Sequence, residues 1–164
     1  MIDQYIRQYG KRLYGLCLSL CANTFEADDL YQDTWLQVVR NISQYDPDRE
    51  FEPWLTKICI NTYRNMLRKI TRSPLLNFQT NEEKDAVLQS VPALEKPDYS
   101  LLYEAINQLP EKLRLAVILF YFEGMDIAAT AQVLGIPDGT VKSRLNKARK
   151  LLKEVLDRET DLQF

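Results

Sequence analysis

Apolar residues recur at helical spacing in two separate blocks of this chain, from about Gln4 to Ile70 and from about Tyr99 to Leu156, and at strand spacing in neither. Between the blocks lies TRSPLLNFQTNEEKDAVLQSVPALEKPD, which holds Pro74, Pro92 and Pro97, carries more acid than base and keeps no sustained period. Proline fixes φ and removes a backbone donor, so one continuous helix cannot run through this stretch. The expected fold is all-α: two small helical domains over 1–70 and 99–164, joined by a flexible linker over 71–98 with room for one short helix. With 164 residues in total, each half can bury only a modest core.

Composition narrows the chemistry. Hydrophobic residues make up 46% of the chain and charged residues 27%, too apolar for wholesale disorder, and no apolar run reaches bilayer length. The N-terminal MIDQYIRQYGKRLYG lacks the layout of a secretory signal, which points to a cytoplasmic location. Cys17, Cys21 and Cys59 leave an odd thiol in any disulfide scheme, and an intracellular chain keeps them reduced. Cys17 and Cys21 sit at i, i+4, yet the chain has no histidine to complete a common zinc set. Burial as small apolar residues is expected for them, with no metal and no cofactor. Absent histidine also removes the commonest general base and the Ser-His and Cys-His nucleophile pairs, so an enzyme is not expected.

In the first block, Asn23 followed by Glu26 has the spacing of a capping box and opens EADDLYQDTWLQVVRNI. Tyr31, Trp35, Val38 and Ile42 share one stripe of that helix. Asp29, Gln32, Asp33, Leu36 and Arg40 lie mostly away from it, leaving an acidic, amide-bearing face. The charged SQYDPDRE breaks the period, and a further helix starts near Phe51 with Phe51, Leu55, Ile58 and Thr62 as its apolar stripe and Trp54 alongside. Asn61, Arg64, Asn65, Arg68 and Lys69 gather toward its other side.

The second block ends in LGIPDGTVKSRLNKARKLL. Six of the twelve residues from Lys142 to Lys153 are basic and none is acidic, in a chain whose net charge is −2. Pro110 suits the first turn of a helix, Gly124 and Gly135 suit left-handed positions that end helices, and Asp138 suits an N-cap. Ala131, Leu134, Gly135, Ile136 and Val141 have the spacing of a helix-turn-helix: a small residue where the helices touch, a glycine turn and apolar anchors. Arg144 departs from it, standing where many such motifs carry an apolar residue. On the last helix Val141, Leu145, Ala148 and Leu152 form the inward stripe. Lys142, Ser143, Asn146, Lys147, Lys150 and Lys153 cover the far side, a surface suited to phosphates and base edges. Basic residues late in a helix also complement its dipole, but the turn motif beside them favours DNA binding.

ADDLYQDTW, then FEPWLTKICINTYRNMLRK, then LPEKLRLAVILFYFEGMDIAATAQVLGIPDGTVKSRLNKARKLL together resemble the extracytoplasmic-function (ECF) subfamily of sigma-70 family RNA polymerase sigma factors. The resemblance covers nearly the whole chain, apart from the linker and the last dozen residues. It implies that 1–70 is sigma domain 2, binding the core polymerase clamp and the minus-ten promoter element, and that 99–164 is sigma domain 4, reading the minus-thirty-five element. The family's clamp-binding helix maps onto Asp29, Leu30, Gln32 and Asp33, a face able to pair with arginines. Tyr45 and Asn61 map onto the pocket for a base flipped from the non-template strand, with Arg64, Asn65 and Arg68 along the adjacent DNA. Thr140, Lys142, Ser143, Arg144, Asn146, Lys147 and Arg149 map onto the reading helix. Relatives often carry arginine where this chain has Lys142 and Lys147, which suit bidentate guanine contacts less well.

The implied partners are bacterial core RNA polymerase, promoter DNA and an anti-sigma factor, with no membrane insertion. The linker would thread toward the polymerase active centre with Glu82, Glu83 and Asp85. Two other readings stay open on the residues alone. One is a magnesium site on Asp29 and Asp33, for which Asp46, Asp48, Glu50 and Glu52 offer the only second carboxylate set. The other is a stand-alone regulator using the same helix-turn-helix on a two-fold symmetric site.

Overall fold

A computed structural model of the chain describes residues 2–71 and 100–162, all of whose regular elements are helical. It divides into two compact units, Met1–Pro92 and Ala93–Phe164. The linker expected at 71–98, with Glu82, Glu83 and Asp85, lies outside the described residues apart from Thr71.

Among the described residues, the first unit holds the helices α1 (Ile2–Leu20), α2 (Thr24–Asn41) and α3 (Phe51–Thr71), with a 3-10 turn at Ile42–Gln44. The Asn23 side chain accepts the Glu26 N–H at 2.8 Å and starts α2 as the sequence predicts. Glu26 reaches back to the N–H of Ala22 at 3.2 Å, one residue earlier than the usual partner in a capping box. The core takes Leu13, Leu16, Cys17 and Leu20 from α1, Ala27, Leu30, Trp35 and Val38 from α2, and Phe51, Leu55, Cys59, Ile60 and Tyr63 from α3.

The α3 stripe read from sequence is therefore rotated. Ile58 and Thr62 are only half-buried, while Cys59, Ile60 and Tyr63 take the deep positions. The physical reason is that α3 packs on both α1 and α2, so it buries a wider arc than a single-sided stripe provides. The buried hydroxyls of Thr34 and Thr56 donate to the Leu30 and Glu52 carbonyls of their own helices at 2.6 and 2.9 Å, which satisfies them inside the core.

Aromatic rings fasten α1 to the start of α3. Tyr5 stacks on Phe51 at 4.0 Å, Tyr9 lies 5.1 Å from the same ring, and Tyr45 and Trp54 close the cluster at 5.0 Å from each other. An ion pair between Arg12 and Glu52 at 2.7 Å ties the same two helices at the surface. Gly10 lets α2 come close, since a Cβ there would meet the Tyr31 hydroxyl at 3.0 Å.

The second unit contains α4 (Ser100–Asn107), α5 (Glu111–Val117) running into a π-helical segment at Ile118–Phe122, α6 (Ile127–Leu134) and α7 (Asp138–Leu162). α4, α5 and α6 all pack on α7. Every residue from Leu113 to Leu119 is buried, Arg114 included, whose guanidinium meets the Glu111 carboxylate through Nε–Oε1 at 3.0 Å and Nη2–Oε2 at 3.3 Å. That buried cation breaks the apolar run LRLAVIL and is matched within its own helix turn, a pairing in keeping with the cost of an unpaired buried charge.

Gly124 and Gly135 adopt φ of 67° and 69°, the left-handed conformation predicted for both. At Gly135 the N–H groups of Gly135 and Ile136 converge on the Ala131 carbonyl, closing α6. Asp126 caps the start of α6, its carboxylate accepting the Ala129 N–H at 2.7 Å. Asp138 differs from expectation. It is the first residue of α7, and the Pro137 carbonyl accepts the N–H groups of Thr140 and Val141, so Pro137 takes the capping position and Asp138 adds charge to the first turn.

Candidate nucleic-acid and polymerase interface

On α2 the structure exposes Asp29, Gln32 and Asp33 together. Leu30 does not join them. It is 0% exposed, so the expectation that it contacts a partner is corrected: it anchors α2 in the core from beneath the face. Leu36 lies on this face as the sequence indicated, 53% exposed, but the reading missed Phe25 and Val39, which are 71% and 49% exposed beside the same polar groups. Phe25, Asp29, Gln32, Leu36 and Val39 follow one another at three- and four-residue steps, so a single ridge carries apolar groups at its ends and polar ones between. The signal available in sequence was that the α2 pattern contains more apolar residues than one buried stripe can use.

Asp28, beside this ridge, accepts the Tyr14 hydroxyl at 2.7 Å, and that hydrogen bond, with partial burial, raises the Tyr14 pKa above the ordinary tyrosine value. Asp28 is thereby tied to α1.

Between α2 and α3 runs a groove of about 480 Å³, lined from α2 by Asp33, Leu36, Gln37, Arg40 and Asn41 and from α3 by Ile58, Asn61, Thr62, Asn65, Met66 and Lys69. Asn61 and Asn65 therefore stand in a cleft rich in side-chain amides, which both donate and accept as base edges do. Arg68 is exposed and Arg64 half-buried on the same helix. Tyr45 lies outside this groove. Its ring is half-buried against Phe51 and Trp54 at 5.4 and 5.0 Å, and its hydroxyl donates to the Arg49 carbonyl at 2.5 Å. Burial, and then the neighbouring Tyr5, raise its pKa above the usual value. Trp54 is half-buried in that cluster and Phe51 is core, so an aromatic wall exists at the foot of α3 with one side open to solvent.

In the second unit the inward stripe of α7 is nearly as read. Val141, Leu145 and Ala148 are 0%, 1% and 0% exposed, and Leu152 is half-buried. Lys142, Ser143, Asn146, Lys147, Arg149, Lys150 and Lys153 are exposed, while Thr140 and Arg144 are half-buried. Arg144 is thus accommodated in its unusual position at the edge of the packed face, only half-buried. The Ser143 hydroxyl donates to the Gly139 carbonyl at 3.0 Å.

The sulfurs of Cys17 and Cys59 are 4.0 Å apart, both buried, and Cys21, one residue past the end of α1, is buried as well. Their mutual hydrogen bond and burial hold the Cys17 thiol protonated far above the ordinary range.

A helical unit with an acidic ridge and an amide-lined cleft, and a second unit containing a helix-turn-helix with a cationic outer face, are the architecture of a two-domain nucleic-acid-binding protein. Residues 5–73 match the Sigma-70 region 2 family and residues 99–152 the Sigma-70 region 4 family. RNA polymerase sigma-H factor of Pseudomonas aeruginosa is 31% identical over 94% of this chain and 85% of its own length. ECF RNA polymerase sigma factor SigW of Bacillus subtilis is 27% identical over 90% of this chain and 84% of its own. ECF RNA polymerase sigma factor SigE of Mycolicibacterium smegmatis is 33% identical over 94% of this chain, which spans 61% of that longer protein. Among solved structures, sigma factor RpoE in complex with the anti-sigma factor NepR, from Bartonella quintana, superposes with a TM-score of 0.75 at 25% identity, covering 94% of this chain and 96% of that one. CnrH in complex with the cytosolic domain of CnrY gives 0.71 at 25% identity, over 96% and 88% of the two chains. The chain belongs to the ECF group of the sigma-70 family of RNA polymerase sigma factors.

Proposed function

We propose that this protein is a dissociable specificity subunit that directs bacterial core RNA polymerase to promoters and promotes strand opening there, the polymerase itself supplying all chemistry. The observation that carries the reading is the union of two different surfaces on one short chain: a mixed acidic and apolar ridge on α2 and a cationic helix-turn-helix face on α7. Residues 1–70 grip the polymerase clamp and the minus-ten element, 71–98 link, and 99–164 read the minus-thirty-five element.

On the ridge, Asp29, Gln32 and Asp33 pair with arginines of the clamp, while Phe25, Leu36 and Val39 supply the apolar contacts that charge complementarity alone does not. At the foot of α3, extruding a base from the duplex sacrifices stacking worth a few kcal/mol. The aromatic wall at Tyr45 offers one stacking surface there, and Asn61 and Asn65, in the separate groove further along α3, offer amide contacts to base edges, with Arg64 and Arg68 on neighbouring phosphates. On α7, Thr140, Lys142, Ser143, Arg144, Asn146, Lys147 and Arg149 face the duplex groove. The protein works in the cytoplasm as a non-enzymatic factor, and an anti-sigma partner silences it by covering these same surfaces.

Run-off transcription tests the proposal. Core polymerase with this chain is expected to yield discrete transcripts from a genomic fragment library, and core alone is not. A chain that binds a two-fold symmetric duplex tightly without polymerase, and gives no transcripts with it, would instead be a stand-alone regulator.

A further inference from the structure

One cation on the outer face of α7, Arg149, is held by a residue from outside the helix-turn-helix. Tyr121, in the π-helical segment Ile118–Phe122, accepts the Arg149 Nε–H at 2.6 Å on its hydroxyl oxygen, and the guanidinium carbon stands 5.8 Å from the ring centroid. Arg149 Nη1 in turn donates to Asn146 Oδ1 at 2.8 Å. Three exposed side chains, separated by up to 28 residues in sequence, thus form one network on the surface assigned above to DNA. The segment that delivers Tyr121 is irregular in a particular way. The Glu123 N–H bonds to the Ile118 carbonyl and the Met125 N–H to the Leu119 carbonyl, so the helix widens as it ends. Widened turns of this kind recur at functional sites.

We propose that Tyr121 is a positioning residue for DNA recognition, one that pre-sets the Arg149 guanidinium for a backbone phosphate. The inference rests on the assignment of α7 to the duplex. A guanidinium has five N–H donors. Tyr121 and Asn146 engage one on Nε and one on Nη1, which leaves the Nη1/Nη2 end open as a fork for an anionic oxygen pair. Arg149 lies eleven residues beyond Asp138, about 16 Å along the helix at 1.5 Å per residue. Base edges are read by the first turns of a recognition helix, so a side chain this far along reaches the sugar-phosphate backbone. A long arginine that is already fixed loses less rotamer freedom on binding, which accounts for roughly a three- to tenfold gain in affinity per side chain so ordered.

The test is a double-mutant cycle on the full chain assembled with core polymerase, measuring affinity for a promoter fragment recovered by the wild-type holoenzyme over a range of salt. Tyr121→Phe keeps the ring and removes only the accepting oxygen at an exposed site, so the fold is retained. It is expected to weaken binding roughly three- to tenfold, with little change in the slope of log affinity on log salt. Arg149→Ala is expected to lower that slope by about 0.9, the loss of one phosphate contact, and in its background Tyr121→Phe adds nothing further. Full affinity in Tyr121→Phe, or an equal loss in both backgrounds, overturns the positioning role. Unchanged affinity and slope in Arg149→Ala would overturn the placement of Arg149 on DNA itself.

Discussion

Single residues in the first unit carry distinct duties that separate measurements can resolve. Asn61 is exposed within the cleft between α2 and α3, so truncating it disturbs no core contact. Asn61→Ala is expected to leave duplex promoter binding by the holoenzyme nearly intact while reducing strand opening, read as loss of permanganate reactivity at unpaired thymines. Normal reactivity would remove Asn61 from base capture. Cys17 has the opposite character, being buried and silent in recognition. Its thiol pKa is raised in the folded chain, first by the hydrogen bond with Cys59 and then by burial, so the native state holds this proton more tightly than the unfolded state does. The stabilisation is complete below the unfolded thiol pKa near 8.5 and declines as pH rises above it, by up to about 1.4 kcal/mol per pH unit. Urea unfolding between pH 7 and 10 should show this fall, and Cys17→Ala, though less stable at pH 7, should show a flatter profile.

Whole elements show where sequence was informative. The start of α2 was legible because Asn23 and Glu26 form a local signal that tertiary packing does not override. Asn23→Ala is expected to cost about 1 kcal/mol, checked by the shift in urea midpoint. The turns at Gly124 and Gly135 were legible for a similar reason, since only their backbone conformation was at stake. The buried face of α3 was misread because two helices pack on it, and a one-dimensional stripe records only one partner. Leu30 was placed among the contact residues by its position in a motif, and its burial became visible only once α2 was seated. The Tyr121–Arg149 pairing joins residues whose proximity depends on a π-helical segment, for which the pattern FYFEG offers no local rule. On α2 itself, Asp29→Arg with Asp33→Arg reverses charge at two exposed positions. The pair should abolish core polymerase binding while circular dichroism and melting stay close to wild type. Retained affinity would count against the ridge as the gripping surface.

At the scale of the molecule, the charge distribution bears on the dependence on polymerase that the proposed function predicts. The chain carries 21 basic and 23 acidic residues, so the positive face on α7 is outweighed elsewhere and the net charge itself supplies no attraction to duplex DNA. On the proposed function, the ridge of the first unit seats the chain on the polymerase, and each of the two DNA contacts then raises the effective concentration of the other. The direct test is size-exclusion chromatography of the purified chain mixed with bacterial core RNA polymerase, followed by gel shift of the recovered fractions on promoter DNA. Co-elution with core, and a promoter shift confined to those fractions, is the predicted result. A chain that elutes alone and shifts promoter DNA unaided would contradict it.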